Sequence, residues 1–155
     1  MLLARYNLPA MPTYAVGIDM VAIPRVRRAL ERHDGRFLRR IYTPEEVALC
    51  RGRVPELAVR FAAKEAVMKA LGTGARGVGW REIEVLPDRR GKPLVYLYGR
   101  AQERAERIGL RALDISLSHE RDFAIAAVVG VRDDAEDPQE SRDRLVRRLK
   151  ERGLL

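Results

Sequence analysis

The sequence predicts an α+β fold: a mostly antiparallel sheet packed on one long central helix. Three observations carry this. The longest helical pattern, PELAVRFAAKEAVMKAL at 55–71, is apolar around most of its circumference, so it belongs in a core. The strand patterns at 14–21, 80–87, 93–99, 113–119 and 122–131 are short and bounded by turn residues. Their order is one strand, a run of helices, a strand pair, a helix and a second strand pair. That order lacks the strict alternation of strand and helix that builds a parallel sheet.

The elements follow in order. YAVGIDMV at 14–21 alternates, with Val16 and Ile18 on one face and Asp19 on the other. Pro24 suits the first turn of a helix, which places Ile23, Val26 and Leu30 on one side and Arg25, Arg28 and Arg32 on the other. Residues 37–43 continue less regularly. Thr43-Pro44-Glu45-Glu46 is a helix start, with a capping hydroxyl and a glutamate three residues on. The long helix begins at a proline, is rich in alanine and ends at Gly72. GTGARGVG at 72–79 reads as a loop. WREIEVLP and PLVYLYG are strands joined by the turn DRRGK, and AQERAERIG at 101–109 is an amphipathic helix. LDISLSH and DFAIAAVVGV are strands joined by a short turn near Glu120 and Arg121.

One domain is expected at 14–132, since 155 residues suffice for a single sizeable core and not for two. Residues 1–13 read as an N-terminal extension; Pro9 and Pro12 break it, and it lacks the basic and apolar regions of a signal peptide. Residues 133–155 form a charged tail that reads as solvated, with Pro138 able to start a helix carrying a thin stripe of Leu145, Val146 and Leu149. No apolar run approaches the ~20 residues of a membrane span. A single cysteine, Cys50, excludes an intramolecular disulfide and a cysteine metal cluster, and fits a reducing, cytoplasmic setting. Two histidines exclude a multi-histidine zinc site.

The formal charge is +8. The tail holds seven acidic and six basic side chains, so residues 1–132 carry +9. Seven arginines fall within 21–40. Such a surplus points to an anionic partner without naming it. A small basic nucleic-acid-binding module would account for the charge. It would not account for carboxylates set among the basic residues, and 6% aromatic content offers little for base stacking.

Four polar groups interrupt the central helix. Arg60 and Lys64 share one stripe, and Glu65 and Lys69 share another. Two readings stand side by side. In one, Glu65 pairs with Lys69 while Arg60 and Lys64 snorkel to the surface. In the other, the cations await an anion and Glu65 awaits a metal. Asp19, at the end of its strand, is either a turn cap or a second carboxylate for a hard cation. Mg²⁺ takes one or two carboxylates and fills its shell with water and phosphate oxygens, the pattern of phosphoryl-transfer sites. His119 closes a strand whose polar face carries Asp114, Ser116 and Ser118; it is either merely exposed or a donor to phosphate. The glycines of 72–77 follow a helix, and the GK[ST] ending of a phosphate-binding loop is missing.

GIDMVAIPRV at 17–26, RFLRRIYTPEE at 36–46, RFAAKEAVMKALGTG at 60–74, GKP at 91–93 and ISLSHERDFAIAAVV at 115–129 together resemble the holo-acyl-carrier-protein synthases, the short-chain class of 4′-phosphopantetheinyl transferases. The resemblance covers about residues 14–131 in the correct order. It implies transfer of 4′-phosphopantetheine from coenzyme A to a serine of apo-acyl carrier protein, with release of adenosine 3′,5′-bisphosphate. It also implies a homotrimer with sites at subunit interfaces, and no nucleic-acid or membrane partner. Asp19 and Glu65 match the family's Mg²⁺ ligands, and Lys69 matches its lysine at the pyrophosphate. Arg60, Lys64 and His119 match positions lining the coenzyme A pocket, with His119 serving the adjacent protomer's site near the 3′-phosphate. Arg25, Arg32, Arg36 and Arg40 match the surface that docks the carrier. One position departs: Ala22 stands where the family often has an acidic residue three after the first aspartate. With Asp19, Glu65 and Lys69 in place, an inactive trimeric scaffold is the weaker expectation.

Overall fold

The computed structural model describes residues 13–33, 35–133 and 138–155, so the expected N-terminal extension lies almost wholly outside the described residues. The chain runs β1 (Thr13–Ala22), α1 (Ile23–Arg32), α2 (Arg36–Ile41), α3 (Pro44–Cys50), α4 (Val54–Leu71), a single helical turn α5 (Gly74–Gly77), β2 (Ile83–Pro87), β3 (Pro93–Leu97), α6 (Gly99–Arg107), β4 (Leu110–His119), β5 (Phe123–Arg132) and α7 (Pro138–Glu151). The α+β class is as expected, but the strands divide into two antiparallel sheets. One has the order β1-β5-β4 and the other is the ribbon β2-β3.

Helix α4 is the centre of the molecule. Ala58, Ala62, Ala63, Ala66 and Val67 on it are fully buried. The three-stranded sheet lays its small side chains on this helix, Ala15 from β1 and Ala124 and Ala126 from β5. Small residues on both surfaces permit close approach, and Gly17 shows how close. A Cβ on Gly17 would overlap the backbone carbonyl of Ala66. Only glycine lets β1 cross α4 at this point.

The alternation read in β1 is present, and its sense is now clear. Ala15, Gly17 and Val21 face α4, with Asp19 on the same side. Tyr14, Val16, Ile18 and Met20 face outward, each more than half exposed. On the neighbouring strand Phe123 and Val129 do the same. Val16 and Val129 are register partners, so the exposed apolar surface runs continuously across β1 and β5.

Two local readings are revised, and the helix offered for the tail is present. The segment at 80–82 is a 3-10 turn, not the start of β2, because the Glu82 carboxylate turns back to accept the Gly79 N–H. The segment at 72–79 is not all loop, since residues 74–77 form one helical turn. Residues 138–151 of the tail are helical, with i,i+4 pairing of Arg144 and Glu140. The start of α3 is as read: Thr43 Oγ1 accepts the Glu46 N–H, and the Glu46 carboxylate accepts the Thr43 N–H at 2.9 Å. Cys50 is fully buried, and burial raises its thiol pKa, as befits a structural residue.

Candidate active site

The close crossing of β1 over α4 brings Asp19 beside Glu65 and Lys69. Lys69 Nζ lies 2.9 Å from Asp19 Oδ1 and donates to the Ile18 carbonyl at 2.7 Å. The lysine is thus paired with Asp19 rather than with Glu65, which sets aside the reading of a helix-internal pair. Its side chain remains 54% exposed, so the ammonium faces open space beyond the carboxylate.

Glu65 is left with a carboxylate for a neighbour. Its pKa is pushed up to about 7, first by burial, then by the hydrogen bond and the negative charge of Asp19. Lys69 and Arg25 oppose the shift and do not cancel it. Paired carboxylates raise one another's proton affinity, and a cation placed between them relieves the repulsion. The donor set, two hard oxygen groups beside open space, fits a divalent ion that completes its shell with water and phosphate oxygens. Among the described residues no cluster of three or more ligating side chains exists, so a fully protein-caged metal is not the arrangement here.

Arg60 and Lys64 face away from this cluster. At 3.6 residues per turn, Arg60 and Glu65 lie roughly 140° apart around α4. Lys64 is wholly buried: its ammonium is 2.7 Å from Glu46 Oε2 and also donates to the Trp80 and Ile83 carbonyls. Its three donors are all engaged within the core, so the expectation that Lys64 lines a ligand pocket is replaced by a structural role. Burial lowers its pKa while the Glu46 carboxylate raises it. Nor does either cation snorkel, because acceptors are available inside.

Arg60 is 7% exposed, with its guanidinium fixed by three acceptors. Nε donates to the Val85 carbonyl, and Nη1 donates to the Glu56 carbonyl, each at 3.1 Å. Nη1 also meets Glu56 Oε2 at 2.9 Å. Glu56 Oε1 lies 3.9 Å from His119 Nε2. These groups line a cleft of about 240 Å³ whose walls include Gly91, Pro93 and Leu117. Arg60, His119 and the GKP segment, far apart in sequence, therefore share one cleft. Glu56 was missed by the sequence reading, although it precedes Arg60 by four residues and so lies above it on the helix.

The four arginines expected to dock a partner, Arg25, Arg32, Arg36 and Arg40, are all exposed on α1 and α2. Arg36 and Arg40 border a cleft of about 440 Å³ with His33 and Phe37, so the basic surface includes an apolar seat. Arg25 is near enough to Glu65 for its charge to be felt there, which ties the basic surface to the carboxylate cluster.

Comparison with known proteins identifies relatives in sequence and in fold. The model of the 4′-phosphopantetheinyl transferase superfamily matches residues 15–128. A holo-[acyl-carrier-protein] synthase of Herpetosiphon aurantiacus is 48% identical over 122 residues, covering 74% of this chain and 96% of that protein. One from Koribacter versatilis is 44% identical over 117 residues, covering 73% of this chain and 94% of its own. Among solved structures, the Helicobacter pylori holo-[acyl-carrier-protein] synthase in complex with coenzyme A is similar at a TM-score of 0.68 and 34% identity, covering 75% of this chain and 98% of that one. The Neisseria meningitidis enzyme gives a TM-score of 0.70 at 38% identity, with 75% and 96% covered.

Proposed function

This chain belongs to the 4′-phosphopantetheinyl transferase superfamily, and we propose that it acts as a holo-acyl-carrier-protein synthase. It transfers 4′-phosphopantetheine from coenzyme A to a serine hydroxyl of apo-acyl carrier protein. The observation that carries the reading is the Asp19–Glu65–Lys69 cluster, a carboxylate pair and an exposed ammonium set where a pyrophosphate can approach.

In the transfer, the serine oxygen bonds to the phosphorus bearing pantetheine and the bridging P–O bond breaks. Adenosine 3′,5′-bisphosphate leaves with that electron pair. Lys69 neutralises charge on the pyrophosphate oxygens as it develops. Glu65, directly or through a water it orients, is the nearest group able to take the serine proton. Asp19 and Glu65 would hold Mg²⁺, which when bound supplies charge neutralisation at the transferring group. Ala22 adds no third carboxylate on that side.

The cleft of Arg60 and His119 lies on the other side of α4, and we assign it to the 3′-phosphate of coenzyme A bound at a neighbouring protomer. The exposed apolar face of β1 and β5 supports that arrangement. A homotrimer would cover Val16, Ile18 and Val129, which a lone chain leaves in water. The arginines of α1 and α2 then receive an acidic carrier, by attraction that speeds encounter and weakens with salt. No helix among the described residues is long and apolar enough to cross a membrane; the cytoplasmic placement rests on the substrates. The test is transfer of a labelled pantetheine arm to apo-acyl carrier protein with Mg²⁺ present. Transfer is expected, and its absence beside an active control enzyme would reject the assignment.

A further inference from the structure

Glu56 stands where an anion entering the Arg60–His119 cleft must go. Its carboxylate is bound to Arg60 Nη1 at 2.9 Å through Oε2 and approaches His119 Nε2 at 3.9 Å through Oε1. We infer that Glu56 is a resident competitor for the phosphate subsite, occupying the Arg60 guanidinium and facing the His119 imidazole until a phosphate monoester displaces it, and returning when the nucleotide leaves.

Three features of the cleft suit this exchange. The guanidinium does not depend on Glu56's carboxylate for its position, because the Val85 and Glu56 backbone carbonyls hold Nε and Nη1. Displacing the carboxylate therefore leaves the receptor for phosphate in place. The Glu56 side chain is 35% exposed, so it has a path into water, and His119 is 41% exposed, so it is reachable. Finally, a phosphate dianion on Arg60 and His119 would sit against the Glu56 charge unless that side chain moved, and like charges that close repel. Only a ligand that brings more charge than one carboxylate replaces it well. The competitor thus favours the doubly charged 3′-phosphate and shortens the residence of the bisphosphate product.

This inference rests on the assignment of the cleft to the 3′-phosphate, and the experiment separates the two. Binding of adenosine 3′,5′-bisphosphate and of adenosine 5′-monophosphate is measured by calorimetry on the full-length protein and on Glu56→Gln. Glu56→Ala is run alongside to guard against a private effect of the amide. Losing one partly exposed competing charge should tighten the bisphosphate roughly three- to tenfold in both variants, leaving the monophosphate unchanged. Product inhibition of transfer should sharpen by the same factor. If the wild-type protein discriminates between the two nucleotides and the variants bind the bisphosphate no more tightly, the competitor role is wrong while the subsite stands. If the wild-type protein does not discriminate, the subsite assignment falls and the inference with it. Equal tightening of both nucleotides also overturns it.

Discussion

The ammonium of Lys64 meets the carboxylate of Glu46 at 2.7 Å with both side chains wholly excluded from solvent. Glu46 also accepts the Val85 N–H at 2.8 Å through its other oxygen. One ion pair thus joins α3, α4 and β2 across the core. Removing one partner from such a pair leaves an uncompensated buried charge, which costs about 3–5 kcal/mol. Lys64→Met and Glu46→Gln should each lower the guanidinium unfolding midpoint strongly at fixed protomer concentration. The double variant Glu46→Gln/Lys64→Met should recover much of the loss. A double variant as unstable as the sum of the singles would show that the two groups act independently.

Glu65 makes the metal-free protein sensitive to pH. Its pKa in the fold, about 7, lies above the ordinary carboxylate value of 4.5, so the folded state holds a proton that the unfolded chain has released between those values. Its contribution to stability is fully present below pH ~4.5 and is lost as pH rises through ~7. Glu65→Gln should flatten that part of the stability profile. Mg²⁺ titrated into wild-type protein at pH 6 should expel a proton, seen as a dependence of the calorimetric heat on buffer ionisation enthalpy. At pH 8.5 the dependence should vanish.

Glu65→Gln should retain the fold and lose turnover by at least ~100-fold, because under the proposed mechanism Glu65 would hold the ion and serve the serine proton, and an amide can do neither. Circular dichroism checks the first half and the transfer assay the second. Lys69→Met should also depress turnover, while leaving calorimetric Mg²⁺ binding largely intact.

Reversing charge on the arginine surface should separate the two substrates. Arg25→Glu with Arg32→Glu should raise KM for carrier protein about tenfold or more, with KM for coenzyme A changed far less. Added salt should mimic the effect in the wild-type enzyme and have little further effect in the variant. An equal rise in both KM values would remove these residues from the docking surface.

Val16→Asp places a charge at the middle of the exposed sheet face, opposite Val129. The proposed trimer would bury that face, and an unpaired charge there would be strongly unfavourable. Under that proposal light scattering should show the wild type as a trimer and the variant as a monomer at the same concentration, with transfer activity lost. An active monomer would contradict the interface site.

What the sequence made legible was local chemistry and motif spacing. The Thr43–Glu46 cap could be read because its partners are three residues apart. The pairing of the GID and AAKEA motifs has a physical basis in the Gly17–Ala66 approach, which delivers Asp19 to Glu65. Long-range choices were not legible. Lys64 finds Glu46 only after α3 folds beside α4, so periodicity alone left its charge without a partner. Lys69 has two carboxylates within reach of its element, and the tertiary crossing decides for Asp19. The sequence put Val16 and Ile18 on one face of β1 without saying what that face meets, because apolar residues alone do not say which surface covers them.

The separation of Arg60 from Glu65 around α4 has a genetic corollary. Under the proposed trimer with sites shared between protomers, a chain broken at Glu65 would spoil only the site to which it lends its carboxylates, and a chain broken at His119 only a neighbour's. Each defective population would be inactive alone. Co-expressed, the two would assemble mixed rings in which some sites draw both halves from sound donors. Two null alleles of one gene should therefore rescue each other.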